Sequence, residues 1–513
     1  MSPYRITTAI HYANGRPHIG HAYECVATDW LARFARLDGR ETFFLTGTDE
    51  HGLKIARTAA RAGEPPAEFV ARQAGGFRAM MDRLGISHDR FIRTTEPAHA
   101  RVAQALWRAM ADRGDLYLGR YEGWYSVRDE AFYETAETVL DADGVRRAPS
   151  GTEVEWTVEE SWFFRLSAYG PRLLALYAER PDWVQPASRF NEMRAFVERG
   201  LQDLSVSRTS FDWGVPVPDA PGHVMYVWVD ALASYVTPSG WPEPGWEARW
   251  PATVHIIGKD ITRFHAVYWP AFLMSAGLPL PERIFSHGFL LSRGEKMSKS
   301  LGNVVDPDVL VDLFGVDPVR HYFLAAIPFG QDGEVSAEAI LRRANADLAN
   351  DLGNLAQRTL SLIARTCAGR VPPDAPKTAE DRDLLDRLST LLEEARAAHA
   401  ATRPDLAIAA IWARVAATNA YLNAAAPWAL RKEDPARAAV VLWHAAEAIR
   451  RIALLVQPGM PASAARLLDQ LAVPPEKRGF ASFADALVPG TPLPEPAAVF
   501  PRLALPAETA AAG

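Results

Sequence analysis

Arg16-Pro17-His18-Ile19-Gly20-His21 is the stretch on which the reading of this 513-residue chain turns. An apolar run from Tyr4 to Tyr12 precedes it and reads as a buried strand, and a helical pattern from Ala22 to about Leu37 follows it. Two histidines therefore stand at a strand-to-helix turn, where unpaired backbone N–H groups and the positive end of the helix dipole attract anions. A second string, Lys296-Met297-Ser298-Lys299-Ser300, lies past the middle of the chain between Gly294 and Gly302. It offers two ammonium groups and two hydroxyls with nothing hydrophobic to anchor them, a composition suited to handling phosphate. Alone, each string has a plain alternative: a helix-capping turn with satisfied histidines, or a solvated basic loop.

Composition sets the frame. With 48% hydrophobic residues the chain can bury several cores, and three or four modules are expected. The net charge of -7 does not favour a nucleic-acid partner, although net charge is not local charge. Cys25 and Cys367 lie too far apart for a CxxC metal site or a disulfide framework and read as core residues in a reducing cytosol. The opening residues lack a charged n-region and cleavage site, so no signal peptide is expected. The longest apolar stretch, from Ala436 to Val456, is broken by Arg437, Glu447, Arg450 and Arg451, which marks an amphipathic bundle helix. A soluble, cytoplasmic protein is the expectation.

Working outward from the histidine turn, strand-like runs at 5–12 and 41–46 alternate with helical runs at 22–37, 68–84 and 98–112. That alternation predicts a doubly wound parallel α/β sheet, Rossmann-like, whose ligands gather at the carboxyl ends of the strands. Residues 1–115 form its first half. An aromatic, acidic, turn-rich insertion follows at 116–223, and the α/β pattern resumes at 224–290 with strands at 224–228 and 254–257 and a helix at 264–275. Residues 291–336 make a connecting module around the basic string. A helical bundle spans 337–488, with runs at 337–365, 380–400, 407–423 and 436–456. The Pro/Ala-rich tail at 489–513 reads as extended chain.

The pairing of His18-Ile19-Gly20-His21 after a first strand with Lys296-Met297-Ser298-Lys299-Ser300 after a later αβ unit is the one that defines class I aminoacyl-tRNA synthetases. The chain resembles that class. Ala9-Ile10-His11-Tyr12-Ala13-Asn14-Gly15, Gly47-Thr48-Asp49-Glu50-His51-Gly52, Tyr226-Val227-Trp228-Val229-Asp230-Ala231 and Ile257-Gly258-Lys259-Asp260-Ile261 narrow the resemblance to methionyl-tRNA synthetases. In the bundle, Asp351-Leu352-Gly353-Asn354-Leu355-Ala356-Gln357-Arg358 and Ala426-Pro427-Trp428 resemble the two segments with which that family reads the CAU anticodon.

The resemblance implies a methionine–tRNA ligase: methionine is joined to the α-phosphate of ATP, and the acyl group then passes to the terminal adenosine of tRNA(Met), initiator and elongator. Such chemistry needs no protein nucleophile, because it consists mostly of positioning and charge stabilisation around a triphosphate of about four negative charges. Carried over residue by residue, His18 and His21 contact the phosphates and Lys296 and Lys299 cover the pyrophosphate. Gly20, Gly258, Asp260 and Lys299 line the ATP side, with Asp260 accepting from ribose. Mg2+ is expected to bridge the phosphates. Ile10, Tyr12, Trp228, Ala231, Leu232, Tyr235 and His287 enclose the methionine side chain, with Asp49 accepting its ammonium group. A thioether lacks a strong hydrogen-bonding group, so an aromatic-rich apolar pocket suits its selection. Asn354, Arg358, Pro427 and Trp428 take the anticodon, the indole by stacking and the polar pair through base edges. Apart from the resemblance, Arg342, Arg343, Arg365 and Arg431-Lys432 are candidates for the local positive field that the net charge lacks, although exposed helix faces carry such residues routinely.

Departures from the family pattern carry expectations of their own. Where many members have a zinc knuckle with a string like YCxxCE, this chain reads Tyr125-Ser126-Val127-Arg128-Asp129-Glu130, and Pro149-Ser150-Gly151 lacks the partner ligands. No structural zinc is expected, and the knuckle should be held by hydrogen bonds or salt bridges. His11 stands where relatives often have Pro or Tyr and has no assigned role. The chain ends soon after the bundle, so the extra C-terminal dimer-forming domain of some relatives is not expected and a monomer is. Two alternatives stand beside this reading. A nucleotidylyltransferase acting on another substrate also uses HxGH but has no use for the Asn354, Arg358 and Trp428 set; a noncatalytic tRNA-binding paralogue has no use for intact phosphate motifs.

Overall fold

The apolar runs around the histidine turn pair into one seven-stranded parallel sheet in the computed structural model, which describes residues 2–128, 131–292, 295–296, 306–375 and 377–506, without the side chains at 121, 131, 132, 159, 292, 295 and 296. Its first half contains β1 (Tyr4–Thr8), β2 (His11–Tyr12), α1 (Ile19–Leu37), β3 (Thr42–Asp49), α2 (Leu53–Ala62), α3 (Pro66–Leu84), β4 (Arg90–Arg93) and α4 (Pro97–Asp112). β1 pairs with β3 from Tyr4–Thr42 to Thr7–Leu45, and β2 then pairs His11 with Thr48 and Tyr12 with Asp49. The register shifts by one residue across Ala9 and Ile10, the mark of a bulge that re-aims the side chains next to it. Prolines at the first turn start α3 and α4, and left-handed glycines Gly63 and Gly85 end α2 and α3.

The insertion is built on β5 (Leu116–Ser126) and β9 (Glu155–Phe164), antiparallel from Leu116–Phe164 to Tyr125–Glu155. β6 (Ala131–Tyr133) adds to β5, while β7 (Val139–Leu140) and β8 (Arg146–Arg147) form a small hairpin. After α5 (Gly170–Glu179) the chain returns to the main sheet at β10 (Val184–Gln185), which pairs with a strand a hundred residues later. α6 (Ala187–Glu198), β11 (Leu204–Ser205), β12 (Ser207–Arg208), β13 (Val224–Met225), α7 (Val227–Ala233), β14 (Val254–Gly258), α8 (Trp269–Ala276) and β15 (Ile284–His287) follow. β14 lies against β1 and β15 against β14, so the strand order reverses between β1 and β14. A crevice at such a switch point is where doubly wound sheets bind ligands.

One expected strand is a helix. The run at 224–228 reads as β because Val, Tyr and Trp favour strands, yet only Val224 and Met225 are extended and α7 begins at Val227. A short run that is apolar on every side cannot be sorted by periodicity, since a buried helix and a buried strand look alike.

β16 (Leu290–Ser292) pairs with β17 (Glu295–Lys296) and with β18 (Gly333–Glu334), flanking α9 (Pro307–Phe314) and α10 (Val316–Ala326). The bundle comprises α11 (Ala337–Arg343), a π segment at Ala344–Gly353, α12 (Asn354–Thr366), α13 (Ala379–Ser389), α14 (Leu391–Ala400), α15 (Pro404–Ala425), α16 (Pro427–Leu430), α17 (Pro435–Val456) and α18 (Pro461–Gln470). The tail, expected as extended chain, packs on the bundle as far as it is described: Phe500 is buried, and Leu503 N–H donates to Asn345 Oδ1 at 2.8 Å.

Two cores sandwich the sheet. One joins α1 and α3 to α10 and the bundle, and the other joins the opposite face to α4, α7 and α8. Arg320, fully buried, locks the first. Its guanidinium meets Asp29 of α1 at 2.7 Å and donates to the carbonyls of Leu84, Pro458 and Gly459. Breaking such a buried pair costs about 3–5 kcal/mol, because the remaining charge is stranded.

Candidate active site

The turn after β2 presents its histidines through backbone geometry. His18 is the N-cap of α1, and its Nδ1 accepts from Gly20 N–H at 3.1 Å; the Nδ1 of His21 accepts in return from His18 N–H at 3.1 Å. With both Nδ1 atoms accepting, each ring carries its proton on Nε2, directed away from the backbone it caps. The rings stack at 3.8 Å. No acidic residue lies in the first turn, so negative charge at this helix end is left to a ligand. A Cβ on Gly20 would stand 3.0 Å from His18 Cε1, which keeps that position small.

His11 now has a place, though not a chemical role. Its ring stacks on Phe77, turns its edge to His21 at 5.1 Å, and sets Nε2 3.4 Å from Cys25 Sγ. Burial pushes its pKa below the ordinary value, which suits a neutral ring wedged between α1 and α3.

The residues expected around the amino-acid side chain come from five segments. Tyr12 pairs with Asp49 at the sheet's edge; Trp228, Ala231 and Leu232 ride on α7, with Tyr235 just beyond it, and His287 ends β15. Ile10 and Trp228, half-buried, pack against the cluster that holds Leu232 and Tyr235. Trp228 is itself stacked flat on Phe264 at 3.7 Å, and the Tyr235 hydroxyl donates to His265 Nε2 at 2.6 Å, since His265 Nδ1 already serves the carbonyl of Ile261. Phe264 and His265 follow the quoted Gly258–Ile261 string closely, but nothing local in the sequence marks them.

Glu24 is another residue that sequence reading passed over. It sits on α1, three residues after His21, and its Oε2 lies 2.8 Å from His287 Nε2, both side chains being buried. His287 Nδ1 faces the carbonyl of Gly288 at 2.8 Å, and a carbonyl only accepts, so Nδ1 bears a hydrogen. Burial pushes the His287 imidazolium toward neutrality, but the hydrogen bond and charge of Glu24 outweigh it and raise its pKa.

The loop carrying Asp49 is braced from several sides. Buried Glu50 accepts from Arg93 at 2.7 and 2.9 Å, from Thr48 at 2.6 Å and from Thr95 at 2.5 Å, and its backbone carbonyl accepts from the Trp213 indole at 2.7 Å. His51 Nδ1 lies 2.7 Å from Asp230 Oδ2, and His99 Nε2 lies 2.6 Å from Oδ1 of the same carboxylate. Burial pushes the Asp230 carboxyl up, yet the two imidazoles hold it down at about 2, and they keep it ionised at any working pH.

On the nucleotide side, Gly258 closes β14 and Asp260 is exposed in the short turn after it. A Cβ on Gly258 would meet Asp260 Oδ1 at 2.8 Å, so a side chain there would push the Asp260 carboxylate out of its present position. Lys259 between them grips both oxygens of Asp332, at 2.7 and 2.8 Å. Lys299 and the Lys296 side chain, the other expected phosphate contacts, lie outside the described residues.

In the bundle, α12 carries exposed Asn354 and, one turn on, Arg358. The Arg358 guanidinium covers the Trp428 ring at 4.8 Å and donates to Asn423 Oδ1 at 2.9 Å. Trp428, 38% exposed, follows buried Pro427 at a left-handed turn on Ala426. With Gln357, Ser361, Leu362 and Arg365, these two residues line an open cleft of about 470 Å³. Arg343 is tied to Asp347 at 2.5 Å and so contributes little free charge.

In the stretch expected to be a knuckle without zinc, buried Ser126 bonds Thr152 at 2.8 Å and Thr152 bonds Ser150 at 2.9 Å. Among the described residues no group of three His, Cys, Asp or Glu side chains is placed to hold a metal ion.

Comparison with known proteins shows the family. Residues 4–360 match the family model described as tRNA synthetases class I (M), and residues 371–507 match the anticodon binding domain of methionyl tRNA ligase. The methionine–tRNA ligase of Mesorhizobium japonicum is 58% identical over 504 residues, which is 97% of each chain. That of Mycobacterium tuberculosis H37Rv is 54% identical over 510 residues, 98% of each. The solved structure of Mycobacterium tuberculosis methionyl-tRNA synthetase in complex with methionyl-adenylate superposes with a TM-score of 0.96 at 53% identity, covering 98% of this chain and all of the other.

Proposed function

This chain belongs to the methionine–tRNA ligase family of class I tRNA synthetases, and from that premise we propose what its own residues do. It activates L-methionine with ATP, releasing pyrophosphate, and passes the methionyl group to the terminal adenosine of tRNA(Met), initiator and elongator. The observation that carries this reading is the convergence, at the carboxyl ends of β2, β3, β14 and β15, of a helix N-terminus with no acid in its first turn, the buried Asp49 carboxylate and an aromatic wall.

His18 and His21 donate through Nε2 to the phosphates of ATP, where charge builds as the methionine carboxylate attacks the α-phosphorus and pyrophosphate departs. Gly20 and Gly258 let backbone approach the nucleotide, and Asp260 accepts from its ribose. Lys296 and Lys299 complete the phosphate side. Magnesium, when bound, would neutralise charge on the phosphates that His18, His21, Lys296 and Lys299 hold. Asp49 fixes the methionine ammonium, and Ile10, Tyr12, Trp228, Ala231, Leu232, Tyr235 and His287 select its side chain by shape. Since a methylene is worth only about 1–3 kcal/mol in such a pocket, close analogues are discriminated incompletely. Asn354, Arg358, Pro427 and Trp428 receive the anticodon. Residues 1–115 and 224–290, joined by β10, serve catalysis; 116–223 is the connective insertion, 291–336 the KMSKS module, 337–488 the anticodon domain and 489–513 an extended C-terminal tail. Both sites stand on one chain, which suits a cytoplasmic monomer; no described helix is long and apolar enough to cross a membrane.

Pyrophosphate exchange into ATP is expected with methionine and not with leucine, isoleucine or cysteine, and a flat response to methionine overturns the reading. We also propose that the knuckle holds no zinc, its place taken by the Ser126, Thr152 and Ser150 bonds. Metal analysis of the purified chain should find no stoichiometric zinc; about one equivalent per chain would refute this, since a structural zinc needs a full set of protein ligands.

A further inference from the structure

The Asp230 carboxylate stands outside every role assigned so far, yet it is the member of its helix held most firmly. It is 1% exposed, and each oxygen has its own partner: His99 Nε2 at 2.6 Å on Oδ1, His51 Nδ1 at 2.7 Å on Oδ2. Those partners belong to different parts of the fold. His51 is two residues past Asp49 on the loop after β3, while His99 lies in the first turn of α4. His99 also reaches, through Nδ1 at 3.0 Å, the Thr237 hydroxyl beyond the end of α7, and that hydroxyl donates to the Ala233 carbonyl at the same helix end. α7 is thus gripped at Asp230 and again past its last turn.

What the grip spans is informative. On one side is Asp49, whose loop is already immobilised by the bonds of Glu50 and by Gly52 N–H donating to the Trp213 carbonyl. On the other are Trp228, Ala231 and Leu232, all within two residues of Asp230 on α7. We infer that Asp230 is a positioning residue for methionine. By joining His51 to α7 it sets the distance between the ammonium acceptor Asp49 and the apolar wall that takes the thioether end. An amino acid must satisfy both ends at once, and a displacement of the wall by a fraction of an ångström weakens it directly. The joint's bonds run to His51, His99 and Thr237, none of them a residue read as an ATP contact. The inference rests on the reading of Asp49 as the ammonium acceptor.

The test measures KM for methionine and KM for ATP in pyrophosphate exchange, with methionine binding followed separately through tryptophan fluorescence. Asp230→Asn should raise KM for methionine about tenfold or more, the size of one lost charge-assisted hydrogen bond, and move KM for ATP by less than about twofold. Should that variant fold poorly, His51 supplies the decision. His51→Leu removes the donor and should give the same split, whereas His51→Asn, which places an amide N–H where Nδ1 stood, should recover most of the methionine affinity. Parallel changes in both KM values, an unchanged KM for methionine, or equal behaviour of the two His51 variants would each overturn the inference. Asp49→Ala separates the two levels. If it leaves KM for methionine unchanged, the reading of Asp49 fails and this inference with it; if it raises KM while Asp230 and His51 variants do not, only the positioning role is lost.

Discussion

Replacing His21 by alanine should lower methionine-dependent pyrophosphate exchange by about two to three orders of magnitude, the usual loss when one preorganised donor to a developing charge is removed. The expectation follows from how the ring is held. His21 Nδ1 is engaged by His18 N–H at 3.1 Å, so its one remaining proton is on Nε2, and the ring needs no reorganisation when phosphate charge develops. The same contact closes a reciprocal cap on α1, and deleting it should cost about 1 kcal/mol of stability, too little to unfold a chain of this size. Two further variants divide the roles. His21→Asn keeps an acceptor where Nδ1 stood and should restore the melting temperature while exchange stays low. His21→Gln, whose amide N–H reaches toward the Nε2 position, should recover part of the rate and not the cap. A His21→Ala enzyme that exchanges pyrophosphate within about tenfold of the parent would show that the helix N-terminus and the lysines carry the phosphate charge without it.

The histidine turn was legible because its signals are local: an apolar run, a turn, then apolar spacing of 3.6 residues, all within about thirty residues. What lay outside local reading has a common cause. The bonds of Asp230 join residues 179 and 131 positions apart, and Glu24 meets His287 across 263, so no spacing rule connects them even though Asp230 and His51 stood inside motifs already singled out. The strand expected at 224–228 failed for a different reason: with Val227 and Val229 to Ala233 all buried, α7 has no polar face to reveal its period. Net charge misled less than it threatened to. The bundle cleft concentrates Arg358 and Arg365 around one indole, while Arg343 is spent on Asp347. The chain's deficit of positive charge is therefore compatible with a local site for RNA.

Trp428→Ala should reduce kcat/KM for tRNA charging by about 5- to 150-fold, the worth of one base stacked on an aromatic ring, and leave pyrophosphate exchange within about twofold. The stacking face is already in use. Arg358 lies over the indole at 4.8 Å and spends one N–H on Asn423, so a base arriving on that face must displace a cation–π contact worth about 0.5–1 kcal/mol at an exposed site. The displaced guanidinium is not wasted, because its freed donors can turn to a base edge or a phosphate. Trp428→Phe, with a smaller face, should fall between alanine and the parent. Arg358→Ala should uncover the ring but remove the donors, giving a loss comparable to Trp428→Ala with a weaker salt dependence, since one cation fewer is paired with RNA. Combining the two should cost less than the sum, because the residues touch and share a ligand. The bundle and the sheet domain are joined through Arg320 of α10, which holds Asp29 of α1 and the Pro458 and Gly459 carbonyls together, and this makes the exchange assay decisive. If Trp428→Ala damages exchange as much as charging, the indole acts through the fold and not by receiving a base.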